Sequence, residues 1–431
     1  MIYNLILLFS LLVVTVVGRS VIGSWLAPGV FYAGYWIVFI LVPFVTLGRK
    51  VVLNPIGFSW IVFTVILGIV CNLILQKKHN EIHDAGQCST YIYVSGNKIY
   101  AHYVVIVITA IFGCVAPLLS VQEYGFRVSS LFDVAEIGDV GNTLSVARYS
   151  LSFYESSWTK VFKQFVYISP GIAAILVAIY PSGKAKILSL LSLMPALLMA
   201  IVHTTKASIV FSIIIYLSWY LSVSIYIKRK KDLRSYFSPL KVFLSISFLA
   251  VIFVVTSAIR YKKFDIILIT GRLTNAFTAQ LFLFSEWFGQ NWNQLQEPLF
   301  GMYTFSGLYA IFKHSARQIG LGYVTLSSMD LGSNIYTVHR GLIEDYHLIG
   351  AMLFFLILFS ISSYSYNKVL SSKKAPHFHI GVLACSYSIM MWSSVANIFT
   401  YNSIIAAYVF IYLFFAILYR NELYEKNSEG R

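Results

Sequence analysis

The chain reads as an all-α protein that crosses a membrane many times, a polytopic helical bundle. Of its 431 residues 58% are hydrophobic and 11% charged, and its mean hydropathy is +0.74, values outside the range of soluble domains. Apolar stretches of about 17–25 residues, the length a helix needs to cross a hydrocarbon core of roughly 30 Å, recur from one end of the sequence to the other.

Eleven such stretches follow in order: Ile2 to Gly18, Gly29 to Leu47, Ile56 to Gln76, Tyr103 to Val121, Gln164 to Tyr180, Ile187 to Val202, Ser208 to Ile227, Val242 to Ile259, Leu342 to Ser362, Ile380 to Ala396 and Ile404 to Tyr419. The first lacks a basic n-region and a small-residue cleavage site, so it is expected as a retained helix rather than a leader. The aromatic-rich stretch Leu273 to Phe288 is a candidate re-entrant or interfacial helix, which would bring the count to twelve. Such a helix is tolerated at membrane depth only where protein or water covers its backbone.

Orientation follows from the basic loops, because Lys and Arg concentrate on the cytoplasmic side of short connections. Lys228, Arg229, Lys230, Lys231, Arg234 and Lys241 crowd the connection after the seventh span, and Lys368, Lys373 and Lys374 the one after the ninth. Both are expected in the cytoplasm, which puts the long segment 260–341 on the opposite, extracytoplasmic side of a single membrane domain, 1–431. Eleven crossings then place the N-terminus outside and leave Arg49 and Lys50 against the rule, so the parity of the N-terminal half stays open.

Several chemistries are absent from the pattern. Cys71, Cys88, Cys114 and Cys385 are scattered, without CxxC spacing or a nearby histidine, so neither a metal nor a disulfide framework is expected. The sequence holds no Walker loop, no GxSxG elbow, no HExxH motif and no internal repeat of the kind transporters show. No cofactor is expected, and nucleic acid is not an expected partner.

Positive-inside anchoring accounts for only part of the net charge of +15. The extracytoplasmic segment and the turn after it carry Arg260, Lys262, Lys263, Arg272, Lys313, Arg317 and Arg340, with His314, His339, Glu344, Asp345 and His347 among them. Lys and Arg on that side call for an anionic ligand, phosphate or pyrophosphate, because Arg presents a planar fork of donors worth about 1.5–3 kcal/mol per charge-assisted contact. The alternative for Arg260, Lys262 and Lys263 is simple snorkelling at a helix end. Arg340, beside His339 and four residues before Glu344, gives a cation, an imidazole and two carboxylates within about two helical turns; the alternative is a surface i,i+4 pair.

Three stretches carry a family resemblance: Tyr303-Thr304-Phe305-Ser306-Gly307 after Phe300-Gly301; Ser333-Asn334-Ile335-Tyr336-Thr337-Val338-His339-Arg340; and Asp345-Tyr346-His347-Leu348-Ile349-Gly350 leading into an apolar span. In this order and setting they resemble the bacterial O-antigen polymerases, the oligosaccharide repeat unit polymerases of the Wzy type. Tyr346 and His347 depart from that family's usual phenylalanine and glycine, and Lys206 stands where an arginine is more usual. The resemblance implies an inner-membrane glycosyltransferase with its active site facing the periplasm, in lipopolysaccharide biosynthesis. It would move a growing glycan from polyprenyl pyrophosphate to a new lipid-linked repeat unit, with membrane lipid around it and a chain-length regulator protein as partner.

On that reading Arg340, Asp345, Glu344 and His339 are the catalytic candidates. Arg260, Arg272, Lys206 and Lys263 are candidates for the lipid pyrophosphate, and Asn334, Tyr336 and Tyr303 for the glycan. Arg148, on an amphipathic stretch, is expected at the interface, with packing against the bundle as its alternative. Two rival readings share the layout: an O-antigen ligase, which usually shows a histidine-asparagine pair where this chain has Asn334-x-Tyr336-Thr337, and a non-enzymatic lipid-linked oligosaccharide flippase, which would distribute charge inside the bundle.

Overall fold

A computed structural model describes residues 2–47, 52–76, 96–149, 154–228, 239–261, 264–313, 324–326, 331–333, 336–372 and 374–420. Arg49, Lys50, the basic residues 229–234 and Lys373 lie outside them. The described chain is helical apart from an antiparallel ladder pairing β1 (Val324–Leu326) with β2 (Leu331–Ser333). The helices are α1 (Ile2–Ile22), α2 (Pro28–Leu47), α3 (Pro55–Gln76), α4 (Gly96–Glu123), α5 (Val134–Tyr149), α6 (Ser157–Ile179), α7 (Gly183–Leu191), α8 (Met194–Val202), α9 (Ala207–Lys228), α10 (Pro239–Tyr261), α11 (Ile266–Asn291), α12 (Ser306–Lys313), α13 (Thr337–Ser371), α14 (His377–Trp392) and α15 (Asn402–Leu418).

Local chemistry sets the boundaries. Proline opens α2, α3 and α10, where its missing N–H is not needed. Ser156, Ser182 and Asp265 cap α6, α7 and α11 by accepting from Thr159, Ala185 and Leu268 amides. Inside the apolar spans, hydroxyls such as Thr15, Thr256 and Ser222 donate to the carbonyl four residues back, which satisfies them without an external partner.

The expected sixth span is not one helix but two, α7 and α8, separated at Ser192 and Leu193. Pro195, at the second position of α8, has no N–H to give Leu191, and its ring collides with a continued helix at that carbonyl. The same proline packs on α4, where a Cβ at Gly113 would lie 2.9 Å from it.

Among the described residues nine helices are long and apolar enough to cross a membrane, counting α7 and α8 as one and including α11; the apolar part of α10 and α15 are shorter. Contacts decide where α11 runs. α3 and α13 lie parallel, since Gly68 faces Phe359, Asn72 donates to Ser363 (2.5 Å) and Asn367 donates to the Leu75 carbonyl (3.3 Å). Their N-terminal ends therefore share one face. α11 starts at the end of α10, where Ile259 packs at Gly141 and Lys206 sits over Phe253, and finishes against the start of α3, where the Asn54 amide donates to Ser285 (3.3 Å).

The start of α9 joins the same face, because Phe211 packs on both Trp392 and Tyr401, and the Val338 amide donates to the Ser393 carbonyl (2.7 Å). Both ends of α11 thus close on one face of the bundle, an arrangement that a re-entrant and an interfacial helix share, although its length and hydropathy match those of a crossing. With α11 set along that face, eight of the nine long helices and the two shorter apolar ones remain as candidate crossings among the described residues.

The approach of α11 to α3 is tight: a Cβ on Gly57 would lie 2.5 Å from the Ser285 backbone, whereas nothing lies within 4 Å of one on Gly271, in the exposed second turn of α11. Gly57→Ala is expected to lower the thermal midpoint of the purified protein by the equivalent of about 1–3 kcal/mol, while Gly271→Ala leaves it unchanged or raises it, by about 0.5–1 kcal/mol. Thermal unfolding in detergent distinguishes the pair.

Candidate functional site

The site face is organised by a break in α13. At His347 the backbone is left-handed (φ 58°, ψ −177°), a conformation disfavoured for a side-chain-bearing residue, so the first turns of α13 tilt away from the long span that follows. Into that break folds the loop after α11. The His347 imidazole donates from Nε2 to the Gln296 carbonyl (2.7 Å), and the Leu299 and Phe300 amides donate to the Glu344 and Asp345 carbonyls (3.2 and 3.0 Å).

Asp345 completes the fastening. Its side chain is wholly buried and accepts from the Tyr303 amide (3.1 and 3.2 Å) and from the Thr304 amide (2.6 Å). Both amides belong to the Tyr303-Thr304-Phe305-Ser306-Gly307 stretch. Thr400 lies against that stretch from the other side, its hydroxyl donating to the Asn397 carbonyl (2.6 Å) with the Tyr303 and Thr304 carbonyls at 3.4 and 3.3 Å. Gly307 is needed there: a Cβ would lie 2.3 Å from Asn402, whose amide donates to the Gly307 carbonyl (3.1 Å).

Arg340, one turn before Asp345, is held by its surroundings. Its Nε donates to Glu344 (2.9 Å), and its guanidinium lies 4.0 Å from the centre of the Tyr336 ring and 4.9 Å from that of Trp287. Cation–π contacts of this kind contribute about 0.5–2 kcal/mol each and fix the plane of the fork. The side chains of Arg340 and Glu344 keep 13% and 18% of their surface, so both are reachable from outside. Tyr303 packs across Gly341 beside them. Burial pushes the phenols of Tyr303 and Tyr336 above the ordinary tyrosine range, which keeps both as neutral hydroxyls.

His339 points the other way. It is fully buried among Trp36, Phe284 and Phe355, with ring centres 5.0–5.4 Å away, and shares a 3.3 Å hydrogen bond with Tyr32. It is a packing histidine. Of the catalytic candidates the structure therefore brings Arg340 and Glu344 to an accessible edge, sets Asp345 beneath them as the anchor of the loop, and sends His339 into the core.

A second cationic cluster occupies the same face. The Arg148 guanidinium donates to the His203 carbonyl (2.6 Å). Lys206, three residues on, lies over the Phe253 ring at 5.1 Å. Burial, and then the nearby charge of Arg260, hold its ammonium below the ordinary lysine value. Lys206 and Arg260 are thus brought together. Arg272 is not with Arg340: it is exposed on α11, 12 residues and roughly 18 Å along the axis before the Phe284 that touches His339. Lys263 and Asn334 lie outside the described residues, as do Lys262, His314 and Arg317.

Sequence reasoning missed Gln296, Thr400 and Asn402, whose partners are about 50 to 100 residues away. It also gave the outer segment too simple a charge: the seven cations between 260 and 347 face six carboxylates, Asp265, Glu286, Glu297, Asp330, Glu344 and Asp345. Anion binding there depends on local placement rather than on a net surplus. The chain matches no protein-family model, no curated protein and no solved structure.

If Asp345 is the anchor, its replacement frees the loop. Asp345→Ala is expected to leave the Tyr303 and Thr304 amides without acceptors, at about 1–3 kcal/mol each, and so to speed their hydrogen exchange roughly 5- to 150-fold. Glu344→Gln leaves the exchange of the same peptide unchanged. Hydrogen–deuterium exchange by mass spectrometry reads both.

Proposed function

We propose that this protein is a glycosyltransferase of the O-antigen polymerase kind, joining lipid-linked oligosaccharides at the extracytoplasmic face of a bacterial inner membrane. The observation that carries the reading is the edge formed by Arg340 and Glu344, roofed by Trp287, Tyr336 and Tyr303 and set where α13 enters its membrane span. The edge combines a fixed guanidinium, an accessible carboxylate and, in the part-exposed rings of Tyr303 and Trp287, aromatic surface of the kind on which sugar rings stack, while the buried Tyr336 serves to hold Arg340. The Lys206 and Arg260 pair on the same face supplies a place for a second anionic group.

In this reading Glu344 takes the proton from the acceptor hydroxyl, whose oxygen attacks the anomeric carbon of the donor glycan. The bond from that carbon to pyrophosphate breaks, and its electron pair leaves with polyprenyl pyrophosphate. Arg340 stands against the negative charge that develops there, the kind of fixed charge complement that lowers such barriers most. Asp345 acts through the loop, holding Tyr303 beside the edge. Lys206 and Arg260 hold the pyrophosphate of the acceptor's carrier. The donor arrives already activated, so the step needs no nucleotide. Chain length would be set with a partner protein, as the resemblance implies.

A lipopolysaccharide gel tests the reading. A strain lacking the protein is expected to show core carrying one repeat unit, with the full ladder restored by the wild type. Glu344→Gln and Arg340→Ala are expected to cut polymerisation by about 10²–10⁴-fold, the range of a lost proton acceptor or charge partner, leaving single repeats. A deletion strain with no repeat attached at all points instead to ligation or flipping and overturns the proposal.

A further inference from the structure

Charge divides the molecule by face. Every Asp and Glu among the described residues lies on the site face, from Glu123 at the end of α4 through α5 and α11 to Asp345. α4 ends there because Glu123 accepts from Thr159 at the start of α6 (2.6 Å), and α8 ends there because Arg148 holds the His203 carbonyl. α4 and the α7–α8 span therefore run the same way, and both begin on the opposite face. That face carries Arg19, Lys98, Lys184, Lys186, Lys228 and Lys368 among the described residues. Lys98 turns inward to the Leu418 carbonyl (2.6 Å), whereas Lys184 and Lys186 are exposed. Basic surface beside a membrane span attracts anionic lipid headgroups.

Between α4 and the α7–α8 span lies an open groove of about 420 Å³. A stripe of α4 from Ile106 through Ala110 and Cys114 to Leu118 runs along it, and Leu188 and Leu191, just before the break at Ser192 and Leu193, form the facing wall. The thiol of Cys114 is its most polar side chain. Both walls belong to helices long and apolar enough to cross a membrane, and Ile111 and Leu191 in them are 59% and 51% exposed. The groove thus opens on hydrocarbon.

Lys184 stands at its mouth. Lys184, Leu188 and Leu191 are spaced i, i+4 and i+7, one stripe of α7, while Lys186 falls on the other side of that helix. Gly113 meets Pro195, where a Cβ would lie 2.9 Å from the ring, and this contact sets the two helices in register. Tyr103, ten residues before Gly113, and Lys184, eleven before Pro195, each lie roughly 15–17 Å from it toward the opposite face. A cation and a phenol therefore share one level, about one turn outside the apolar lining.

We propose that this groove binds one anionic glycerophospholipid of the leaflet opposite the site face, with an acyl chain between α4 and α7 and the phosphate meeting Lys184 at the mouth. A partner helix is the poorer occupant. It would pack along a crossing of roughly 30 Å, whereas the lining from Ile106 to Leu118 extends roughly 18 Å, near the depth of a single leaflet. A free phosphate gains nothing from an apolar trough. The groove lies apart from the Arg340 edge and is independent of the reaction proposed there.

The test uses the purified full-length protein in detergent, with retained lipid read by native mass spectrometry. Phosphatidylglycerol is expected to be retained, one molecule per chain, at least about fivefold more tightly than phosphatidylcholine with the same chains, the preference that one lysine near a headgroup confers. Lys184→Ala is expected to abolish that preference and Lys186→Ala to keep it; both residues are exposed, so folding is not at stake. Ala110→Phe, which fills the groove, is expected to weaken retention of both lipids severalfold. A phosphatidylglycerol carrying a diazirine in its acyl chain is expected to label α4 between Ile106 and Leu118 and α7 near Leu188.

Equal retention of the two lipids by the wild type overturns the proposal, as does a preference untouched by Lys184→Ala. So does photolabel spread evenly over α1 and the other apolar helices. A dimer formed through α4 that excludes the labelled lipid assigns the groove to a second copy of the chain and overturns it as well.

Discussion

A buried carboxylate holds the site face together. Asp345 lies at the end of the first turns of α13 with no exposed surface. A charge in that position is tolerated only if its oxygens are satisfied. Two backbone amides from a loop 41 and 42 residues earlier in the chain do this, and in doing so they fix where the loop lies. Tyr303 beside Arg340, Gly301 against Tyr346 and the start of α12 all take their positions from that loop. The left-handed backbone at His347 follows from the same arrangement. It lets the carbonyls of Glu344 and Asp345 turn outward to the Leu299 and Phe300 amides instead of continuing a helical ladder. Strain of about 1–3 kcal/mol at one residue is offset by hydrogen bonds that a straight helix would not offer.

Arg340 shows why the placement of a cation matters more than its count. A lysine at 340 would present a mobile point charge. The guanidinium is planar and stacks on Tyr336 and Trp287 while one nitrogen stays on Glu344, which fixes the plane of its fork. The six carboxylates of the segment cancel most of its charge at long range, yet they leave this edge and the Lys206 and Arg260 pair as local cationic spots.

The crossings were legible because each must satisfy its backbone within one apolar helix, and that requirement writes a run of about twenty residues into the sequence. The position of α11 was less so. A helix of 26 residues has the same length and hydropathy whether it passes through a bilayer or along its surface, and the distinction rests on Gly57 meeting Ser285, a contact between residues more than 200 apart. The Arg340 and Glu344 pair could be read from i,i+4 spacing. So, in retrospect, could the burial of His339, since His339, Leu342 and Ile343 fall on one side of α13 and all are buried, while Arg340 and Glu344 fall on the other. Asp345 could not be assigned from spacing: as a nearby acid it resembles Glu344, and only its distant amide partners set it apart.

α11 gives the face its spacing. Phe277 stacks on Phe253, the ring over which Lys206 sits, and Trp287 covers Arg340. The two cationic spots are thereby tied to points ten residues apart on one helix, roughly 15 Å along its axis. A helix keeps that separation rigid, whereas a loop would let the two spots drift with thermal motion. In the proposed reaction the two anionic carriers must be held apart, because like charges repel, while the end of one glycan reaches the base of the other. A fixed distance between two pyrophosphate positions, bridged by the acceptor's own sugars, meets both demands. The aromatic residues of α11 pack on rings from α10, α3 and α13 and so hold the two cationic spots at that separation.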